Sequence, residues 1–285
     1  MKQYPPIQTA PLFPVVHRKL IELLRRLSAD EWQRETVCAG WTVKDIASHL
    51  LDGSLRTIAL YRDGYAAPGT PSIRSYRDLV DYLNQLNNDW VRATRRISPA
   101  VLIDWLDQSE REGDALLMAL PPNEPAVFSV AWAGQAVSPN WFHIAREYTE
   151  RWHHQQQIRL AVGQTQELET SELYQPVLDT FMQALPFAYR NTSAPTGTLL
   201  QISVADLSNG DWFLRREKDA WQLLPTDEGN LDGGSSPDTL VRIDRSFAWQ
   251  LLTRNLLANE ASLHVQIDGD EALGWPVLAM RSVMM

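Results

Sequence analysis

The chain has 285 residues, 44% of them hydrophobic, and this length predicts two domains. It shows no secretory signal and no apolar run of roughly 20 residues, so we expect a cytoplasmic protein without a membrane partner. Its one cysteine, Cys38, excludes an internal disulfide and a multi-thiolate zinc site, so a metal ion would need His, Asp or Glu ligands. The net charge is −9, residues 166–285 carry the acidic excess and no basic stripe occurs, which argues against nucleic-acid binding and favours a small-molecule partner.

The first part of the chain has the pattern of long helices. A capping-box-like pair, Thr42 and Asp45, precedes one apolar-periodic segment, and Ser-Pro pairs precede two others. Glycines follow two of the segments, at Gly64 and Gly163, where helices commonly end. Together they predict an all-α bundle of four or five helices, with helices at 15–28, 42–64, 75–97, 98–120 and 138–163.

The pattern changes after residue 165. A helix is predicted over about 171–190, followed by short segments of strand-like alternation between turn residues and by two further helices. We therefore expect two domains, a helical one over 1–165 and a smaller α+β domain over 166–285. The strands are predicted at 198–205, 211–217, 220–225, 239–244 and 262–270.

A polar stripe runs along the last helix of the bundle. At about 100° per residue, one face collects His143, Glu147, Glu150, His154 and Gln157. A solvated face is one interpretation. A ligand-binding face is the other, because the stripe contains no Lys or Arg and consists of groups that coordinate a cation or accept a hydrogen bond.

Two members of the stripe are placed to share one ion. Glu150 and His154 are about 6 Å apart in helical rise, so their side chains can converge. His143 is about 16 Å of rise from His154 and is the weaker candidate. His153 points about 100° away and is expected to be a surface or packing residue.

The third ligand must come from another helix. His17, His49 and His264 are the remaining histidines. We favour His49, because it shares a polar strip of its predicted helix with Asp45 and Asp52. Two imidazoles and a carboxylate leave an open position, as in catalytic zinc sites; nickel, iron and manganese also suit these ligands.

Two segments carry a resemblance to a known family. AGWTVKDIASHLLDG (39–53) and REYTERWHHQQQI (146–158) resemble the metal-binding bundle of the mycothiol-dependent maleylpyruvate isomerase family, a branch of the DinB-like superfamily. The resemblance implies that His49, Glu150 and His154 are the metal ligands. The chain departs from the pattern at Gln157, where many relatives have Asp and DinB-like thiol transferases often have Gln, which bears on the substrate.

The resemblance extends into the second domain. Residues 235–257 and 265–280, with the Gly269-Asp270 turn, resemble the sterol-carrier-protein-like domain that follows the bundle in this family. The implied fold is therefore an all-α DinB-like four- or five-helix bundle followed by a smaller α+β sterol-carrier-protein-like domain.

The resemblance also implies a function. It predicts a divalent-metal-dependent isomerase or S-transferase in which a metal-activated low-molecular-weight thiol (mycothiol, bacillithiol or glutathione) attacks a small anionic substrate. Two alternatives stay open: a DinB-like metal hydrolase, and a non-catalytic small-molecule or lipid-binding protein with a bound metal. Arg254 and Gln157 are the candidate catalytic residues. Arg254 would bind an anionic substrate, and Gln157 would hold bound water or a carboxylate. For each, the alternative is that it is a solvent-exposed surface residue. The protein is expected to be a monomer or homodimer.

Overall fold

The computed structural model describes residues 4–65, 72–225, 236–253, 255, 258–280 and 282. These residues fall into two compact units. The helical unit comprises Thr9–Pro122 and Glu147–Leu168. The sheet unit comprises the chain up to Gln8, Asn123–Arg146 and the chain from Glu169 onward. Each unit is thus assembled from separate stretches of sequence, and a single domain boundary at 165/166 stays a prediction.

The helical unit confirms the helices predicted for the first part of the chain. In this unit α5 packs against α1 and α3, and α3 also packs against α4. Short 3-10 turns lie at Ala10–Leu12 and Thr165–Leu168. Its helices are α1 (Phe13–Leu24), α2 (Ala29–Trp32), α3 (Val43–Tyr61), α4 (Tyr76–Thr94), α5 (Pro99–Met118) and the part of α6 (Asn140–Val162) from Glu147 onward.

The helix ends follow local side-chain chemistry. Thr42 and Asp45 form the predicted capping box at the start of α3, and Ser98 caps α5. The start of α6 differs from the prediction. The hydroxyl of Ser138 accepts from the Val130 N–H and donates to Gln135 instead of capping this helix.

The core of the helical unit is aliphatic. It is built from the inner faces of α1, α3 and α5 and from the end of α6, closed by Trp32. Each fully buried leucine or isoleucine contributes about 1.5–3 kcal/mol relative to exposure. This core holds α3 and α6 in place, and those two helices carry the predicted metal ligands. Its central members are Leu23, Ile46, Leu51, Leu102, Leu106 and Ile158.

The sheet unit confirms a mixed α and β second half. Its strands are ordered β3-β2-β1-β4-β5, with β1 and β4 parallel and every other neighbouring pair antiparallel. The strands are β1 (Leu199–Val204), β2 (Asp211–Arg216), β3 (Trp221–Leu224), β4 (Thr239–Ile243) and β5 (Val265–Gly269). The helices that follow Glu169 are α7 (Ser171–Met182), α8 (Leu185–Ala188), α9 (Arg245–Leu252), α10 (Ala258–Ala261) and α11 (Glu271–Ala279). The sterol-carrier-protein-like assignment stays a prediction.

The predicted helix over 171–190 is divided in two. Pro186 lies at the start of α8. Proline lacks an N–H and is favoured in the first turn of a helix, so Pro186 suits the start of a new helix here, although α7 itself runs through Pro176.

Within the described ranges, no helix combines the length and the apolar character that a bilayer crossing requires.

Candidate metal centre

His154 is held in a defined orientation on α6. Its Nδ1 lies 2.9 Å from Oε1 of Gln157. An amide oxygen only accepts, so Nδ1 carries a proton, and in the neutral imidazole Nε2 has the lone pair. This Nε2 lies 3.5 Å from Oε2 of Glu150. The predicted pair on α6 therefore converges, as its spacing indicated.

His49 reaches the same place from α3. Its ring centroid is 4.7 Å from that of His154, in an edge-on arrangement, and 5.2 Å from the ring of Trp41. Burial and the neighbouring His154 lower the pKa of His49 well below its usual value, so the imidazole is neutral near pH 7. Its buried Nδ1 has no hydrogen-bond partner among the described residues, which is costly for a nitrogen unless it meets a ligand.

His153 is buried, which agrees with the packing alternative of the prediction, but its ring lies closer to His154 than the 100° rotation between neighbouring residues suggests. Potential ligand atoms of Glu150, His153 and His154 lie within 4.8 Å of one another, which no other trio of His, Cys, Asp or Glu in the described part of the chain achieves. The ring of His153 is 4% exposed and its centroid is 4.0 Å from that of His154. The 100° rotation between neighbours describes Cβ directions, whereas an imidazole extends far enough to turn back toward the next residue.

The remaining members of the stripe are not a solvated face. His143 is 2% exposed and Gln157 is 4% exposed, while Glu147, Glu150 and His154 are half-buried. Nδ1 of His143 accepts a hydrogen bond from the Arg146 guanidinium at 3.0 Å. The solvated-face interpretation is therefore excluded by burial.

Two supporting residues have defined roles. Asp45 accepts from the Thr42 N–H at 3.1 Å and from the Arg95 guanidinium at 3.1 and 3.2 Å, so its carboxylate caps α3 and forms an ion pair. Gln157 lies against His154, whose orientation it stabilises. Arg254, the other predicted catalytic residue, lies outside the described residues.

The structure contains a second buried polar cluster that the sequence did not predict. His17 of α1 places Nε2 3.0 Å from Oδ1 of Asp107 and 3.9 Å from Oε2 of Glu110, and Nδ1 3.9 Å from Oδ2 of Asp114. Arg151 forms an ion pair with Asp114. Burial raises the pKa of Glu110 to about 7 and lowers that of His17. The spacing 107, 110, 114 marks one face of α5, which was the available signal.

The donor set suits a divalent ion. Neutral imidazoles and a carboxylate are the ligands of zinc and of other borderline divalent metals. Nε2 of His154 and the unpartnered Nδ1 of His49 are two nitrogen atoms that such an ion could use as donors. We find the residues compatible with a bound ion, and its identity stays a prediction.

Comparison with known proteins identifies the family. The family described as "Mycothiol maleylpyruvate isomerase N-terminal domain" matches residues 13–159, more than half of the chain. A crystal structure of the mycothiol-dependent maleylpyruvate isomerase is 12% identical with a TM-score of 0.55, and one of a mutant form is 11% identical with a TM-score of 0.54; each match covers 94% of this chain and 96% of the other. No curated protein sequence matches. The two structures show a shared fold, and the family match shows that this chain belongs to the mycothiol maleylpyruvate isomerase N-terminal domain family.

Proposed function

We propose that this chain is a divalent-metal-dependent isomerase that uses a low-molecular-weight thiol, as the names of its structural relatives describe for mycothiol and maleylpyruvate. The observation that supports it most is the approach of the His49 ring on α3 to the ring of His154 on α6, whose Nε2 lies 3.5 Å from Oε2 of Glu150. The family of residues 13–159 supports the same reaction class.

The thiol would have to come from outside the chain. Cys38 is the one cysteine and is half-buried. Burial raises the pKa of its thiol, so the reactive thiolate is disfavoured near neutral pH. A divalent ion bound by the three ligands would lower the pKa of a coordinated cofactor thiol and make it nucleophilic.

The chain's own residues position this chemistry. Gln157 fixes the proton on Nδ1 of His154 and so directs Nε2 toward Glu150. The ring of Trp41 lies beside that of His49, with 5.2 Å between the centroids, and restricts its rotation. These contacts hold the ligands of two helices in place without help from the substrate.

The proposed reaction is redox-neutral. The thiol sulfur adds to one carbon of a cis double bond activated by a carbonyl group, so a C–S bond forms as the π bond opens. Rotation about the new single bond follows, and elimination breaks the C–S bond to give the trans isomer and free thiol. Substrate carboxylates would need a cationic partner, for which Arg254 remains the sequence-based candidate.

Metal removal and restoration tests the proposal. Chelated protein should lose isomerisation of maleylpyruvate in the presence of mycothiol, and added Zn²⁺ should restore it. His154→Ala and His49→Ala should abolish the restored activity, whereas His264→Asn, which removes a stacking partner of Phe247, should retain it. Metal-dependent ester or amide hydrolysis without thiol would support the hydrolase alternative instead.

A further inference from the structure

We propose that the helical unit binds a neutral sugar or polyol group in a groove between the segment that precedes α3 and the end of α4. The inference rests on the proposed function, because it assigns the groove to the part of the thiol cosubstrate that extends away from the sulfur. Position, side chains, charge and size carry the inference. The residues that line the groove include Gly40, Trp41, Asn88, Asp89, Arg92 and Arg95.

The groove lies beside the candidate metal centre, within the same helical unit. Trp41 lines the groove, and the centroid of its ring is 5.2 Å from that of His49. The ring of His49 is in turn 4.7 Å from that of His154. A Cβ at Gly40, next to Trp41, would have no neighbour within 4 Å, so the chain leaves open space here. A thiol bound at the centre through its sulfur would therefore have room nearby for its remaining atoms.

The side chains of the groove match the two kinds of surface on a sugar. Trp41 is half-buried and packs against the aliphatic core of the unit, so its remaining ring surface offers an apolar face to C–H groups. Asn88, Asp89 and Arg92 are exposed on α4. An amide, a carboxylate and a guanidinium together supply donors and acceptors, and a hydroxyl group uses both. An apolar ring beside a few polar groups is typical of a small-molecule site.

The charge of the groove favours a neutral ligand. Nη2 of Arg92 donates to Oδ1 of Asp89 at 2.9 Å. Arg95 donates to both carboxylate oxygens of Asp45, at 3.1 and 3.2 Å. Each guanidinium is thus balanced by a carboxylate, so an anion would gain little attraction here. A guanidinium has more N–H donors than these bonds use, which leaves donors for hydroxyl groups.

The size of the groove suits one part of a cosubstrate. Its cavity has a volume of about 230 Å³, whereas sites for whole drug-sized ligands have roughly 300–1,000 Å³. Mycothiol has a suitable part, because its cysteine is joined to an uncharged sugar–inositol unit. Glutathione is instead a charged peptide, and bacillithiol carries carboxylates on its sugar. The groove therefore favours mycothiol among the three thiols.

Binding of a sulfur-free compound tests the inference. N-acetylglucosaminyl-inositol reproduces the sugar–inositol unit of mycothiol, and saturation-transfer NMR with the chelated full-length protein measures its Kd. We expect binding to the wild type and at least about tenfold weaker binding to the double variant Asn88→Ala/Arg92→Ala, which loses donors and acceptors of the groove. The matched control is Asn84→Ala/Arg77→Ala. It changes the same residue types, which are also exposed on α4 but do not line the groove, and its Kd should equal that of the wild type.

The outcomes separate this inference from the proposed function, because the compound has no sulfur and the chelated protein has no metal ion. No binding to the wild type, equal Kd values for all three proteins, or displacement of the compound by malate would overturn the assignment of the groove. The indole N–H resonance of Trp41 in the wild type must also shift on binding, which decides the question even if a variant does not fold. Failure of the isomerisation assay with sugar binding intact would contradict the proposed function and leave the sugar site standing.

Discussion

Gln157 is the residue through which orientation at the centre is most easily tested. Its Oε1 accepts the Nδ1 proton of His154, and loss of such a partner typically lowers metal affinity about 10- to 100-fold. We expect that loss in Gln157→Leu, measured by chelator competition. Gln157→Glu keeps an acceptor at this position and should bind zinc nearly as the wild type does. Equal affinity for the leucine variant and the wild type would contradict the positioning role.

Glu110 should make stability depend on pH. Burial raises the pKa of its carboxyl from 4.5 to about 7, so the folded state holds a proton that the unfolded state releases between these values. Its neighbours are His17, Asp107, Asp114 and Arg151. Stability from this group is therefore present below about pH 4.5 and is lost as pH rises to about 7, a change on the order of 3 kcal/mol.

Glu110→Gln should remove this part of the pH dependence. The free energy of unfolding of the variant minus that of the wild type should be larger at pH 8 than at pH 5. Urea unfolding of both metal-loaded proteins at the two pH values measures this difference. The neutral amide avoids the burial of a charge at high pH, whereas at pH 5 the wild-type carboxyl is already protonated. The same difference between variant and wild type at both pH values would contradict the raised pKa.

At the residue scale, the sequence predicted which candidate ligands lie near one another better than it predicted the residues around them. Glu150 and His154 follow from helical spacing, and His49 from its polar strip and the family pattern. His153 and Glu110 were missed because the conformation of a side chain, and the elements packed around it, depend on tertiary structure that periodicity does not contain.

The turn from β5 to α11 shows how one element depends on glycine. Gly269 has φ of +106°, and a Cβ there would lie 2.3 Å from the carbonyl oxygen of Asp238. Gly269→Ala should therefore destabilise the protein, by at least about 1 kcal/mol from the backbone conformation alone. Thermal unfolding measures the effect.

Gly53→Ala is the same change of residue type with the opposite expected effect, and it serves as the control. Gly53 lies inside α3, without a positive φ, and its added Cβ would have no neighbour within 4 Å. Helix propensity predicts a gain of about 1 kcal/mol. A loss in Gly53→Ala, or no loss in Gly269→Ala, would contradict this account of the two positions.

Helices could be predicted from the sequence where capping residues or glycines mark their ends. The capping box at Thr42 and the glycine at 163, with φ of +74°, mark boundaries through local hydrogen bonds and backbone geometry. The four-residue helix Ala29–Trp32 is too short for apolar periodicity, although Ser28 and Glu31 form a capping box there. Pro186, which lies in the first turn of α8, favours the start of a new helix within 171–190.

The whole chain is divided in a way that a linear reading does not show. Asn123–Arg146 belongs to the sheet unit, where Gly134 lies against Phe187. Composition changes mark where a pattern ends along the chain, but which segments pack together is decided by long-range contacts. The sequence therefore indicated two units, and it assigned residues to them by position along the chain alone.

Limited proteolysis tests this division. A cut within 163–170 should produce two fragments that elute together in gel filtration, because residues 123–146 on one side belong to the unit that follows the cut. Two fragments that separate and stay folded would instead support the simple domain boundary at 165/166.

The most direct test of the central claim is the absorption spectrum of the cobalt-loaded protein during titration with mycothiol. We expect a near-ultraviolet charge-transfer band from thiolate bound to cobalt, saturating at about one thiol per chain. The band should be absent in His154→Ala. If no such band forms with mycothiol, bacillithiol or glutathione although cobalt is bound, the proposal that this centre activates a thiol is contradicted.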